Sequence, residues 1–265
     1  MSVNVQSGEG RGIALPSRRA WGWIGFYALI LLAWVSVALM ARGQASGGIP
    51  AEFWAALCAS AAEASLPALW AMWALMAAAM MLPTFVPALR TFADLSATGA
   101  TTAAGAAALV AGYGAVWLTA SALGAGAQAA LARAGMLTPF GASLSPWLTA
   151  ALLVGAGLYQ FSVVKAACLA KCRMPLTFFM ERWRPGAPAA FAMGLRLGAV
   201  CLGCCWALMA LGFVGGVMNL VWMGAATLFM TLEKLPDIGR RLTRPVGWAL
   251  IIAGGVTALR ATGFV

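Results

Sequence analysis

"LPALWAMWALMAAAMMLPTFVPAL", residues 66–89, contains no charged residue. It is as long as the roughly 20 apolar residues that carry an α-helix across ~30 Å of hydrocarbon. The rest of the chain has the same character. Of 265 residues, 63% are hydrophobic and 9% charged, and the mean hydropathy is +0.89, well beyond what a soluble core can bury. Comparable stretches fall at 21–41, 102–124, 147–170, 189–211, 214–232 and 245–263. The expected fold is all-α: a polytopic transmembrane helix bundle of about seven helices. It forms a single domain over 21–265, preceded by a disordered cytoplasmic tail over 1–20.

The stretch from Trp21 to Met40 follows Arg11, Arg18 and Arg19, as a secretory signal would. Its apolar run is longer than a signal core and no small-x-small site closes it, so it reads as an anchor. With the amino terminus in the cytoplasm, the inner segments hold Arg11, Arg18, Arg19, Arg90, Lys171, Arg173, Arg182, Arg184, Lys234, Arg240, Arg241 and Arg244. The outer segments hold only Arg42, Arg133 and Arg260. Cytoplasmic loops carry such a basic excess, so the net charge of +10 reads as topology and contact with anionic lipid headgroups. These charges are short loop clusters without a compact basic domain, which argues against nucleic acid as a partner. In the longest outer segment, 42–67, a Gly/Pro turn signal precedes a short surface helix expected around 51–63. The Ala-rich run "ATGATTAAGAAALVAGYGAVW" (97–117) offers small residues for close helix packing.

The absences are informative. The chain has no His, which excludes His-ligated haem, His–metal sites and Ser–His or Cys–His catalysis. None of the seven acidic residues is expected at mid-membrane, which argues against hard-cation sites and carboxylate proton relays. What remains is sulfur, six Cys and fourteen Met.

Met72, Met76 and Met80 are spaced four apart and share a helix face, with Met81 turned about 100° away. Thioethers suit Cu(I), although Met is also a common filler of apolar cores. In "YQFSVVKAACLAKCRMP" (159–175), the spacing puts Lys165, Cys168 and Cys172 on one stripe. A nearby ammonium favours thiolate, but a lysine near an interface also snorkels and Cys is often merely buried. In "RLGAVCLGCCWALMALGFVGGVMN" (196–219), Cys201, Cys204 and Cys205 share a face, with Met209 continuing that line outward and Arg196 a turn inward. Three thiols within five residues of an apolar helix exceed what packing asks for. Asn219, Met223 and Met230 follow at spacings of four and seven. Glu233 and Lys234 in "LEKLPD" (232–237) read as an interfacial anchor, paired with each other or with a neighbouring helix.

Taken together, "WALMAAAMMLP" (73–83), "GYGAVW" (112–117), "GLYQFSVVKAACLAKCRMP" (157–175), "WRPG" (183–186) and the run from Gly194 to Lys234 resemble the bacterial predicted metal-binding integral membrane proteins. This family is also described as membrane copper chaperones. The resemblance implies a multi-pass inner-membrane protein that binds Cu(I) and helps supply a copper-dependent oxidase or another copper-accepting protein. The ligand roles it implies fall on Met72, Met76, Met80, Met81, Cys168, Cys172, Cys201, Cys204 and Cys205. The pattern departs at one spot. Where an acidic residue often follows the lysine of the motif, this chain has Ala166 and Ala167.

The leading expectation is a non-enzymatic carrier passing Cu(I) between thioethers toward the oxidising face and thiols toward the reducing cytoplasm. It requires the methionine stripe and the thiol cluster to meet. Two alternatives stand beside it. A membrane thiol–disulfide oxidoreductase would use the C-x-x-C of Cys201 and Cys204. A structural or assembly subunit would use sulfur only for packing.

Overall fold

The structure, a computed structural model, describes residues 18–46, 64–97 and 102–263. The expected tail and the expected 51–63 surface helix fall almost entirely or wholly outside these. The helices are α1 (Arg18–Ser46), α2 (Leu66–Ala97), α3 (Ala103–Arg133), α4 (Pro146–Gln160), α5 (Val163–Arg173), α6 (Pro175–Arg182), α7 (Ala187–Ala210), α8 (Leu220–Glu233) and α9 (Pro236–Ala261). A single helical turn, Gly212–Gly215, lies between α7 and α8.

Among the described residues, five segments are long and apolar enough to cross a membrane: Ala20–Ala41, Leu66–Leu95, Ala103–Arg133, Ala187–Gly215 and Pro236–Ala261. The expected 147–170 span is a bent pair, α4 and α5, meeting at 62°. Counting the pair as one span gives six, which corrects the expectation of about seven. The cause is local. Gly216 adopts a positive φ of 92° and the Asn219 side chain caps Val221 and Trp222, so the helix stops and restarts. What remains is the 14-residue α8, about 21 Å long against ~30 Å of hydrocarbon. The break between α4 and α5 has a similar origin, with the Ser162 hydroxyl accepting from Lys165 N at 3.1 Å to start a new helix.

Two helix pairs pack without side-chain padding. A Cβ on Gly112 would overlap the carbonyl of Phe191, and one on Gly194 the carbonyl of Leu109, so α3 and α7 touch backbone to backbone. The small-residue reading of 97–117 is thereby realised. Gly157 and Gly254 play the same part between α4 and α9, against Gly247 O and Ala150 O. This contact fixes the rotation of α7. Leu197, Cys201, Cys204, Cys205 and Leu208 are buried, whereas Arg196 is exposed. Helix α2 crosses the same core with Trp73, Met81 and Phe85 buried, and Phe85 stacks on Tyr113 of α3 at 4.2 Å between ring centroids.

Candidate metal centre

The thiols of Cys201, Cys204 and Cys205 lie within 4.8 Å of one another, each residue 2% exposed. Two further sulfurs adjoin them. Cys172 Sγ, near the end of α5, is 3.9 Å from Cys204 Sγ, and Met81 Sδ of α2 is 3.8 Å from Cys205 Sγ. With metal–sulfur bonds of ~2.3 Å, sulfurs around one ion sit about 4 Å apart in a trigonal plane and about 4.6 Å apart in a line. The separations of 3.8 and 3.9 Å, and the 4.8 Å within which the three thiols lie, are close to these values, so the group could hold a metal ion.

Cys201 lies at the centre of the polar contacts. Its carbonyl accepts from the thiols of Cys204 at 3.0 Å and Cys205 at 2.8 Å. Its own sulfur is 3.1 Å from the Tyr113 hydroxyl and accepts from Lys234 Nζ at 3.2 Å. Lys234 Nζ also donates to Thr84 Oγ1 at 2.7 Å, and Thr84 and Tyr113 both donate to the carbonyl of Met81. An ammonium at this distance offsets the negative charge that a metal-bound thiolate carries. A cavity of about 190 Å³ reaches the cluster, with Cys172, Cys201, Tyr113, Thr84, Arg173 and Lys234 in its wall.

The expected ligands are distributed unevenly. Met81, which lies off the methionine stripe, touches the thiols. Met72, Met76 and Met80 are buried in the same core but form no hydrogen bond with a thiol. The stripe of Lys165, Cys168 and Cys172 divides three ways. Cys172 joins the cluster, Cys168 Sγ packs on the bare face of Gly203, and Lys165 Nζ pairs with Glu233 Oε2 at 2.8 Å. Glu233 is 2% exposed, and Arg173 donates to its carbonyl at 2.9 Å.

Glu233 pairs with a neighbouring helix through Lys165 of α5, one of the pairings the sequence offered, and it is buried among the helices. The two charges at the end of α8 take different partners, Glu233 bonding Lys165 and Lys234 donating to Thr84 and Cys201. The acid that pairs with Lys165 comes from α8, in Glu233. Thr84 and Tyr113 carried no sequence signal beyond a polar group in an apolar helix.

Residues 70–257, which include every side chain of this cluster, match the model of a family described as copper chaperone, PpoB2. The chain belongs to this copper chaperone family. No curated protein and no solved structure matches the chain. The family's description implies copper binding and, in general, partners that accept copper.

Proposed function

We propose that this chain is a multi-pass protein of the bacterial inner membrane that binds Cu(I) through sulfur and hands it to a copper-dependent oxidase or another copper-accepting protein. The observation that carries the reading is the convergence of Cys172, Cys201, Cys204, Cys205 and Met81 from three helices onto one buried point. Such a donor set is soft and without carboxylate, which suits Cu(I) and serves Mg(II) or Ca(II) badly. The orientation with the amino terminus in the cytoplasm is supported by the basic bias of the loops. In that orientation the cavity beside Cys172, Arg173 and Lys234 faces the reducing side, where thiols persist.

Transfer proceeds by ligand exchange. Each step makes one sulfur–copper bond and breaks another, with no change of oxidation state and no nucleotide. Cys172, the ligand nearest the end of α5 and in the cavity wall, accepts or releases the ion. Cys201, Cys204 and Cys205 retain it.

The test is a Cu(I) competition titration on the purified full chain under reducing conditions. The wild type is expected to bind one tightly held Cu(I). Replacing Cys201, Cys204 and Cys205 together by Ser is expected to abolish that binding, and Cys172→Ser to weaken it at least tenfold. Cys168→Ser is expected to leave it unchanged. A folded wild type that binds no Cu(I) would overturn the proposal and return the thiols to disulfide exchange or packing.

A further inference from the structure

Sulfur softness alone does not explain a preference for copper. Thiolate sets bind soft ions of either charge, so discrimination between monovalent and divalent cations needs a second physical term. Lys234 supplies one. Its Nζ lies 3.2 Å from Cys201 Sγ and 2.7 Å from Thr84 Oγ1, in the wall of the cavity that reaches the thiols. Its chain neighbour Glu233 is already paired with Lys165, and Lys234 itself makes no salt bridge among the described residues. The charge on Lys234 therefore acts on whatever the thiols hold.

We infer that Lys234 is a specificity-determining residue: its charge, held beside Cys201 Sγ, makes a given set of thiolates prefer a monovalent soft cation to a divalent one. This deepens, and rests on, the reading of the cluster as a copper site. An ion bound to Cys201 sits roughly 5 Å from Nζ. At an effective dielectric of about 20, one additional unit of ionic charge at that distance lowers affinity by roughly a hundredfold. For ions held by the same thiolates, the cost of forming those thiolates cancels from the comparison. Arg173, in the wall of the same cavity, adds to the effect in the same direction.

Ag(I) and Cd(II) isolate the charge, because both are soft, closed-shell and isoelectronic. Their dissociation constants are measured by competition on the full chain in detergent, with Cd(II) also followed by thiolate charge-transfer absorbance. The variants are Lys234→Met, Lys234→Gln and Lys234→Arg. The ratio of Cd(II) to Ag(I) affinity is expected to rise about a hundredfold in both neutral variants and to stay near the wild-type value in Lys234→Arg. Should Lys234→Met not fold, Lys234→Gln carries the comparison, since it keeps a hydrogen-bond donor. A ratio unchanged in a folded neutral variant overturns the inference while leaving the copper site intact. Failure of the wild type to bind either ion overturns the copper reading itself.

Discussion

Replacing Lys165 by Met removes the cation from an ion pair whose two side chains are 1% and 2% exposed. Glu233 is then left with a buried carboxylate and no cation against it. Its Oε1 already has no hydrogen-bond partner, and Oε2 loses the 2.8 Å bond to Nζ. Breaking a buried pair on one side costs about 3–5 kcal/mol, because a charge remains where water cannot reach it. Removing both charges avoids that penalty, so Lys165→Met combined with Glu233→Gln is expected to lie within about 1.5 kcal/mol of the wild type. The cycle of wild type, two single variants and the double variant then gives a coupling energy of at least about 4.5 kcal/mol, the two single losses less that of the double. Unfolding in mixed micelles, followed by far-UV circular dichroism, measures it. The pair also ties α5 to α8, and Cys172 lies two turns along α5 from Lys165. The single variants are therefore expected to label faster at Cys172 with a maleimide, while Cys201 stays protected. Single-variant losses that simply add up in the double variant, with coupling below about 0.5 kcal/mol, would refute the reasoning.

Met81→Leu conserves volume, so it is expected to cost less than about 1.5 kcal/mol in stability while weakening Cu(I) affinity severalfold. Met76→Leu, matched in chemistry but without a sulfur contact to the thiols, is expected to leave the Cu(I) titration unchanged. Gly112→Ala places a methyl group on the Phe191 carbonyl and is expected to destabilise by about 1–3 kcal/mol in a thermal melt. Gly114→Ala, with nothing within 4 Å of its new Cβ, is expected to stabilise by about 0.5 kcal/mol through the helix preference of alanine.

The helical class was legible because an uninterrupted apolar stretch such as 66–89 has few alternatives. The thiol face of α7 was equally legible, since a three-and-four spacing has one meaning on a helix. The seventh span was not, because the restart at Asn219 depends on a glycine conformation and a side-chain cap inside a sequence that stays apolar throughout. The choice of Met81 over Met80 was hidden for a related reason. Rotation of α2 is set by what Trp73 and Phe85 pack against on α3 and around Phe213, which are partners distant in sequence. The partners of Glu233 and Lys234 lie on other helices, and periodicity within α8 says nothing about them. Position 165 shows the limit most plainly, because the acid that pairs with its lysine lies 68 residues away.

The backbone contact between α3 and α7 gives the cluster two mechanical parts. Cys201, Cys204 and Cys205 ride on a helix that cannot turn or slide without driving one carbonyl into another. Cys172 rides on an 11-residue helix set off by a 62° break, packed on α7 at Gly203 and tied to α8 by one ion pair and one hydrogen bond to Glu233. The three thiols of α7 and the thiol of Cys172 are therefore fixed by separate elements, one locked by backbone contact and the other by side chains.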